Sequence, residues 1–344
     1  MTTQVTLSGD ALELPGGVQV TFVRTLRLPE TGTYPLPPGI GAFPLRRVAD
    51  YPDTVPEQWR ARGGVMLPVY QREAMWLQFS ATTPAALQVG VGKVCAVSGK
   101  PWSDALTQEP QNYVPLPRQP WLDGINSGDG TVRQFVAVPL GLGATVEGQL
   151  TGTEQWGGVQ LAVHGLTDEA LAAWQRAQSA RRDRAADYGG FAPVACAAPA
   201  APPGAMTMGL GGAPAGSPPA PRAMGLGAGG TMRQEIYTDT RPVEDYRPTA
   251  DGRVFVHLAS AAQWQQITGE PAPSTPVTAQ SYAEYGLPWF EYYAADATDL
   301  PAAPELAEVK PTGDWLADEQ PNPAVQQPLP VIPLGDKAVG DGDW

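Results

Sequence analysis

The stretch whose reading decides the fold is "VQVTFVRTLRL", residues 18–28. In an extended chain Val18, Val20, Phe22, Leu26 and Leu28 fall on one face, interrupted only by Arg24. Alternation of this kind marks a strand with one buried face. The run 87–97, "LQVGVGKVCAV", does the same with Leu87, Val89, Val91, Cys95 and Val97. Val65/Leu67/Val69, Met75/Leu77/Phe79, Val136/Val138/Leu140 and Val159/Leu161/Val163 repeat the pattern. The connections between these runs are rich in Gly, Pro and Asp, as turns require. About eight short strands before residue 166 predict a β-sandwich of jelly-roll type. The Pro-rich connections "TGTYPLPPGIGAFPL" and "EPQNYVPLPRQPWL" are expected to wrap the sheets as ordered loops held by their own Tyr, Trp and Leu.

Beyond the sandwich (1–166) the pattern changes. "TDEALAAWQRAQSARRDRAAD" from Thr167 predicts a helix over 167–187. Thr167 can cap it, Asp168 and Glu169 stand in its first turn, and Arg181, Arg182 and Arg184 near its end suit the helix dipole. Ala170, Leu171, Trp174 and Ala177 form a narrow apolar stripe expected to pack on the sandwich. Residues 188–230 then collapse to Ala, Pro, Gly and Met, a composition that reads as a flexible linker. Within it "MGLGG" at Met208 recurs as "MGLGAGG" at Met224. A small α/β region is expected over 231–300, with strands in "TMRQEIYTD" and "RVFVHL" and a helix in "ASAAQWQQITG" ended by Gly269. Thr275 and Pro276 suit the cap and first turn of another short helix. "PWFEYY" is read as a final strand or an aromatic docking segment, and 301–344 as an acidic, Pro-rich tail.

The chain has 344 residues, with 39 Gly, 38 Pro, 10 Trp and 11 Tyr and a net charge of −13. Disordered chains rarely carry so many large rings, so much of it must fold. From Glu284 onward twelve acids stand against two lysines, a balance of −10 that leaves −3 for the rest. A general affinity for nucleic acid is disfavoured, because phosphate binding needs a basic surface. Cys95 and Cys196 are the only cysteines, which excludes a disulfide framework and a four-cysteine zinc site within one chain. The start "MTTQVTLSGDALEL" lacks the marks of a signal peptide, and no run approaches the roughly 18 apolar residues of a membrane span. The expectation is a cytoplasmic protein without membrane insertion, with export by a route lacking a cleaved signal left open.

Catalytic motifs are scarce. "GLGAGG", 225–230, matches the letters of a dinucleotide fingerprint, but a Pro-rich chain precedes it and a strand-like run follows. "SGKPW" at Ser98 fails as a phosphate loop, since Val94 stands where the first glycine belongs and Pro101 where Ser or Thr is required. His164 and His257, the only histidines, both sit in strand-like runs and read as hydrogen-bonded structural residues. No G-x-S-x-G elbow or local two-histidine metal pattern occurs. Carboxylate-based glycoside hydrolysis is the enzyme class least excluded.

The most suggestive polar cluster is "PWLDGINSGDGTVRQFVAVPL", 120–140. Asp123, Asn126 and Asp129 offer oxygens on a Gly-permitted bend, which could hold calcium, although neither EF-hand spacing nor its later Glu is present. Trp121 as a stacking face with Asp123, Asn126, Asp129 and Arg133 could instead bind a carbohydrate or small ligand. The third reading is consecutive turns feeding the strand from Val132. A second candidate surface is an interface: Met208 and Met224 can adapt to a partner, and Tyr282, Tyr285, Trp289 and Phe290 are of the kind found at interface centres. The aromatic run serves equally as core for a small C-terminal region.

"QPWLDGINSGDGTVRQFVAVPLG" and "MRQEIYTD" resemble segments of an uncharacterised bacterial protein family. The resemblance implies no activity and no functional residues. The reading the sequence favours is a non-enzymatic protein, without cofactor, that associates with itself or another protein. A ligand-binding sandwich using the 121–133 loop is the alternative, followed by a carboxylate hydrolase.

Overall fold

The structure is a computed structural model that describes residues 4–187, 223–273, 300–301, 303–312 and 339–344. It is mainly β, as the alternation predicts, with seventeen strands among the described residues in one hydrogen-bonded system. Met208, Tyr282, Tyr285, Trp289 and Phe290, and the helix expected at Thr275, lie outside the described residues.

The ladders sort into two blocks. In the first, Val18–Thr25 pairs antiparallel with Ala11–Leu14 and with Ala74–Ala81, which continues to Thr131–Pro139 and then to Met224–Arg233. In the second, Ala85–Val91 pairs with Val159–Gly165, which pairs with Gly252–Ser260, and that strand runs parallel to Val65–Val69. The ladder linking the blocks is a single residue pair, Met224 with Leu258. Both blocks turn apolar faces to one core, in which Val18, Val20, Phe22, Leu77, Leu87, Val89, Phe135 and Leu161 are fully or almost fully buried. Arg24, the one interruption in the opening run, is buried and paired at 2.6 Å with the carboxylate of Glu73.

Of the 188–230 stretch read as a linker, 224–230 belong to the strand Met224–Arg233, which corrects the reading there, while 188–222 lie outside the described residues. Its glycines alternate with apolar residues: Met224, Leu226 and Ala228 face the core while Gly225, Gly227 and Gly229 face the other way. A methyl group on Gly225 would meet Leu140 and Thr145 at 2.8 Å, on Gly227 Thr312 at 2.5 Å, and on Gly229 Val136 at 2.5 Å. The run is thus a period-two strand whose second face is covered too closely for any side chain. Met224, expected at an interface, is part of the core.

After Arg233 the chain leaves the ladder but stays fastened through glutamine side chains. Gln234 accepts from the Asp123 amide and donates to the Trp121 carbonyl, at 2.9 and 3.1 Å. Gln119 donates to the carbonyls of Trp121 and Glu235 and accepts from the Tyr237 amide. Gln111 donates to the carbonyls of Tyr113 and Tyr237 and accepts from the Asp239 amide. Gln134 ties Leu26 and Leu28 in the same way. These side-chain amides replace main-chain partners that buried backbone requires. The Pro-rich connections are therefore ordered by polar stitches as much as by apolar contact.

The long helix spans Asp168–Asp187, and the Thr167 hydroxyl accepts from the Ala170 amide. Ala170 packs with Leu166, Tyr113 and Tyr246, and Leu171 and Trp174 lie against that cluster. Ala177 is exposed, so the stripe packs only through its first two turns. The helix Ala261–Thr268, with Gly269 in the left-handed conformation after it, buries Trp264 and Ile267 against Trp59, Met66 and Tyr70.

Candidate functional site

The 121–133 region forms a hairpin and does not gather its polar side chains. Trp121 is half-buried and packs against the core. Asn126 is buried, with its amide donating to the carbonyls of Val97 and Pro301 at 3.2 Å and its oxygen accepting from the Gly128 amide. Asp129, exposed with φ of 53°, forms the tip between Gly128 and Gly130. Arg133 is half-buried in the returning strand opposite Ile125 and Thr231. Among the described residues no three His, Cys, Asp or Glu side chains are placed to share a metal ion. The calcium reading lacks its ligand set: the Asn126 oxygen is taken, Asp123 is inside, and Asp129 stands at the tip.

Asp123 is fully buried, and neither carboxylate oxygen has a hydrogen-bond partner. Burial pushes its pKa well above the ordinary carboxylate range. Stability on this account is fully present below the unfolded-state value near pH ~4 and falls as the pH rises toward the folded-state value. Asp123→Asn removes the titration at almost constant shape. It is expected to raise stability at pH 7 by about 1–3 kcal/mol and to change little below about pH 4. Chemical denaturation at the two pH values measures this, and a loss of stability at pH 7 would contradict it.

A second candidate surface is built around the strand Gly252–Ser260. Period two sets Arg253, Phe255 and His257 on one face of that strand. His257 stacks between Trp59 and Phe255, with ring centroids 4.6 and 4.5 Å away, and its Nε2 donates to the Gly63 carbonyl at 2.9 Å. Burial, aided by the charge of Arg62, pushes its pKa down to about 3, so the ring is neutral near pH 7. Arg62, at the end of the helix Glu57–Arg62, lays its guanidinium 4.5 Å from the Trp156 ring centre and 5.5 Å from that of Phe255. Its outer nitrogens donate to the carbonyls of Trp156 and Gln155.

Lys93 sits between three indoles, its ammonium 5.2 Å from Trp344, 5.3 Å from Trp156 and 5.8 Å from Trp102. Partial burial lowers its pKa, with Asp104 opposing. Trp102 reaches this position because Gly90 carries no side chain; a Cβ there would come within 2.6 Å of the ring. Trp156 is held by Glu147, a buried carboxylate that accepts from the amides of Gln155, Trp156 and Gly157 at 2.8, 3.0 and 2.9 Å. Glu154 reciprocates by accepting from the amides of Gly141, Gly143 and Thr145 and from the Thr145 hydroxyl, and these bonds hold its pKa down against partial burial.

Across this surface lies the segment 339–344, "VGDGDW". The Val339 amide donates to the Val5 carbonyl at 2.7 Å, the Gly64 amide to the Gly340 carbonyl at 2.7 Å, and the Asp343 amide to the Ala61 carbonyl at 3.1 Å. Asp341 accepts from Arg253 with one carboxylate oxygen, at 3.2 and 3.3 Å. Its other oxygen accepts from the Gly342 amide and from the Trp344 indole N–H. That turn sets the Trp344 ring under Arg253 at 4.5 Å and against Trp102 and Phe255, at 5.8 and 6.0 Å between centroids. Gly342 is required by closeness, since a Cβ there would stand 2.3 Å from the Ala61 carbonyl.

Sequence reasoning missed this site because its members are spread from Arg62 to Trp344 and share no local motif. The available signal was a set of tryptophans in loops beside Gly, Pro or Asp, outside any alternating run: Trp102, Trp156 and Trp344. Comparison of the chain with family models, curated proteins and solved structures returned no match.

Proposed function

We propose that the chain is a non-enzymatic interaction protein whose β framework presents a surface for an extended, acidic, tryptophan-bearing peptide. The observation that carries this reading is the seat of 339–344: three main-chain bonds, one Arg–Asp ion pair and an indole in a cation–aromatic setting. Main-chain bonds give a peptide site its general affinity, while Trp and Arg anchors give it specificity. Each cation–aromatic contact adds about 0.5–2 kcal/mol.

Acid–base chemistry has less to draw on among the described residues. Glu73 is taken by Arg24 and the Tyr70 amide, Glu147 by three loop amides, and Asp239 by the hydroxyls of Tyr113 and Tyr246. The loop 121–133, the alternative ligand site, has two of its polar side chains, Asp123 and Asn126, inside the protein.

The test uses the full chain with Asp341→Ala and Trp344→Ala, which frees the surface of its own segment. A labelled VGDGDW peptide is titrated against it by fluorescence anisotropy. Saturable binding with Kd on the order of 0.1–1 mM is expected for so small an interface. Affinity is expected to weaken with salt and to drop at least tenfold on adding Arg253→Ala or on using a VGDGDA peptide. Binding that is equal for the two peptides would remove the reading.

A further inference from the structure

We infer that 339–344 is an exchangeable clip: the surface that holds it accepts the same segment from a second copy of the chain, joining protein to protein. The inference rests on the peptide-surface reading above and adds the identity of the partner. Among the described residues, the segment's hydrogen bonds and ring contacts outside itself are to Val5, Ala61, Gly63, Gly64, Lys93, Trp102, Arg253 and Phe255, residues far from it in sequence. Nothing in that set depends on which copy supplies the six residues. Residues 313–338, 26 in number, separate the segment from Thr312. Fully extended they reach at most ~90 Å, well beyond the radius of a domain of this size. Charge supports the pairing as well, because Asp341 and Asp343 meet a surface carrying Arg62, Lys93 and Arg253.

Being on the same chain, a copy's own segment meets its surface at roughly millimolar effective concentration and wins in dilute solution. Exchange becomes dominant when a copy's own segment is disabled or when copies are concentrated together. Reciprocal exchange closes a two-fold dimer, whereas one-way donation leaves a free clip at one end and a free surface at the other.

Complementation separates this from ordinary association. A donor carries Trp102→Ala and Arg253→Ala, which disable the surface and leave the segment intact. An acceptor carries Asp341→Ala and Trp344→Ala, which disable the segment and leave the surface intact. Melting curves of each variant serve as the check that both are folded. Sedimentation of the pair mixed at a concentration above the peptide Kd is expected to show a 1:1 species absent from either protein alone. That species should vanish when the donor also carries Trp344→Ala and when free VGDGDW peptide is added in excess. If the peptide binds the acceptor yet the mixture does not associate, exchange is overturned and the peptide surface stands. Should the peptide fail to bind the acceptor, the surface reading fails first and exchange with it. A complex that survives loss of the donor's Trp344 also overturns exchange.

Discussion

Replacing Glu147 by alanine is expected to destabilise the fold by about 3–5 kcal/mol and to weaken the VGDGDW peptide at the same time. The carboxylate accepts from three consecutive amides, of which that of Gly157 belongs to a buried residue. Hydrogen bonds to charged groups each contribute about 1.5–3 kcal/mol, and orphaned buried donors cost about 1–3 kcal/mol. Partial rehydration of the exposed end of the loop keeps the total below their sum. Room for the side chain exists because Gly92, with φ of 59°, leaves the space a Cβ would take 2.5 Å from the Glu147 Cβ. Alanine therefore leaves a void as well as three orphans. The loop carries Trp156, a wall of the Lys93 cage and the platform for Arg62, so peptide affinity should fall several-fold at temperatures where the variant remains folded. Glu147→Gln, which keeps the shape but turns an N–H toward N–H groups, should fall between the two. Urea melts at pH 7 measure the first effect, and an alanine variant within about 0.5 kcal/mol of the parent, the scale of a neutral surface change, would refute the clasp.

Acidification should cost the protein stability through His257, by about 4 kcal/mol once the pH has fallen from 6.5 to 3. The ring's folded pKa is about 3 against an ordinary value of 6.5. Between these values the unfolded chain binds a proton that the folded chain refuses, so stability rises with pH across the window. Each pKa unit of difference corresponds to about 1.4 kcal/mol. His257→Gln retains a donor for the Gly63 carbonyl and loses the titration. It should lower stability at pH 7, through lost stacking on Trp59 and Phe255, while flattening the slope between pH 4 and 6 by about one proton. His164 is buried too, its Nδ1 bonded to the Arg247 carbonyl and its pKa lowered mainly by burial, so some acid slope should remain. Asp123 acts with opposite sign above about pH 4, and the double variant should show both changes independently. An unchanged slope in His257→Gln would refute the assignment.

The strands were legible in position where polar and apolar residues alternated, as at Val18–Thr25 and Val159–Gly165, but in Thr131–Pro139 it is Phe135 and Ala137, not Val136 and Val138, that join the main core. Val65–Val69 was legible in position, but both its faces are buried, because Met66 joins the second apolar cluster beneath Trp264. Met224–Arg233 was hidden because glycine usually signals a breaker; here it signals a covered face, a distinction that only the neighbouring Leu140, Thr145 and Thr312 make. At the hairpin, sequence could identify Asp129 and its glycines as turn formers, but not that the carboxylate of Asp123, two residues from Trp121, has no hydrogen-bond partner. Nor could it bring Arg62, Lys93, Trp102, Trp156 and Arg253 together, since that requires knowing how the two blocks of strands meet.

The glutamine stitches bear on how this architecture can vary between related chains. A ladder of main-chain bonds has one register, and inserting a residue flips every later side chain to the opposite face. A glutamine amide reaches two backbone groups from a single anchor, without reference to the residues before or after it. Gln111, Gln119 and Gln234 therefore hold the 111–123 and 234–239 strips side by side as separate rivets. The 111–123 strip is also registered by the ladders of Val114–Leu116 and Trp121–Leu122, so length changes should accumulate on the 234–239 side, where the glutamines keep the alignment.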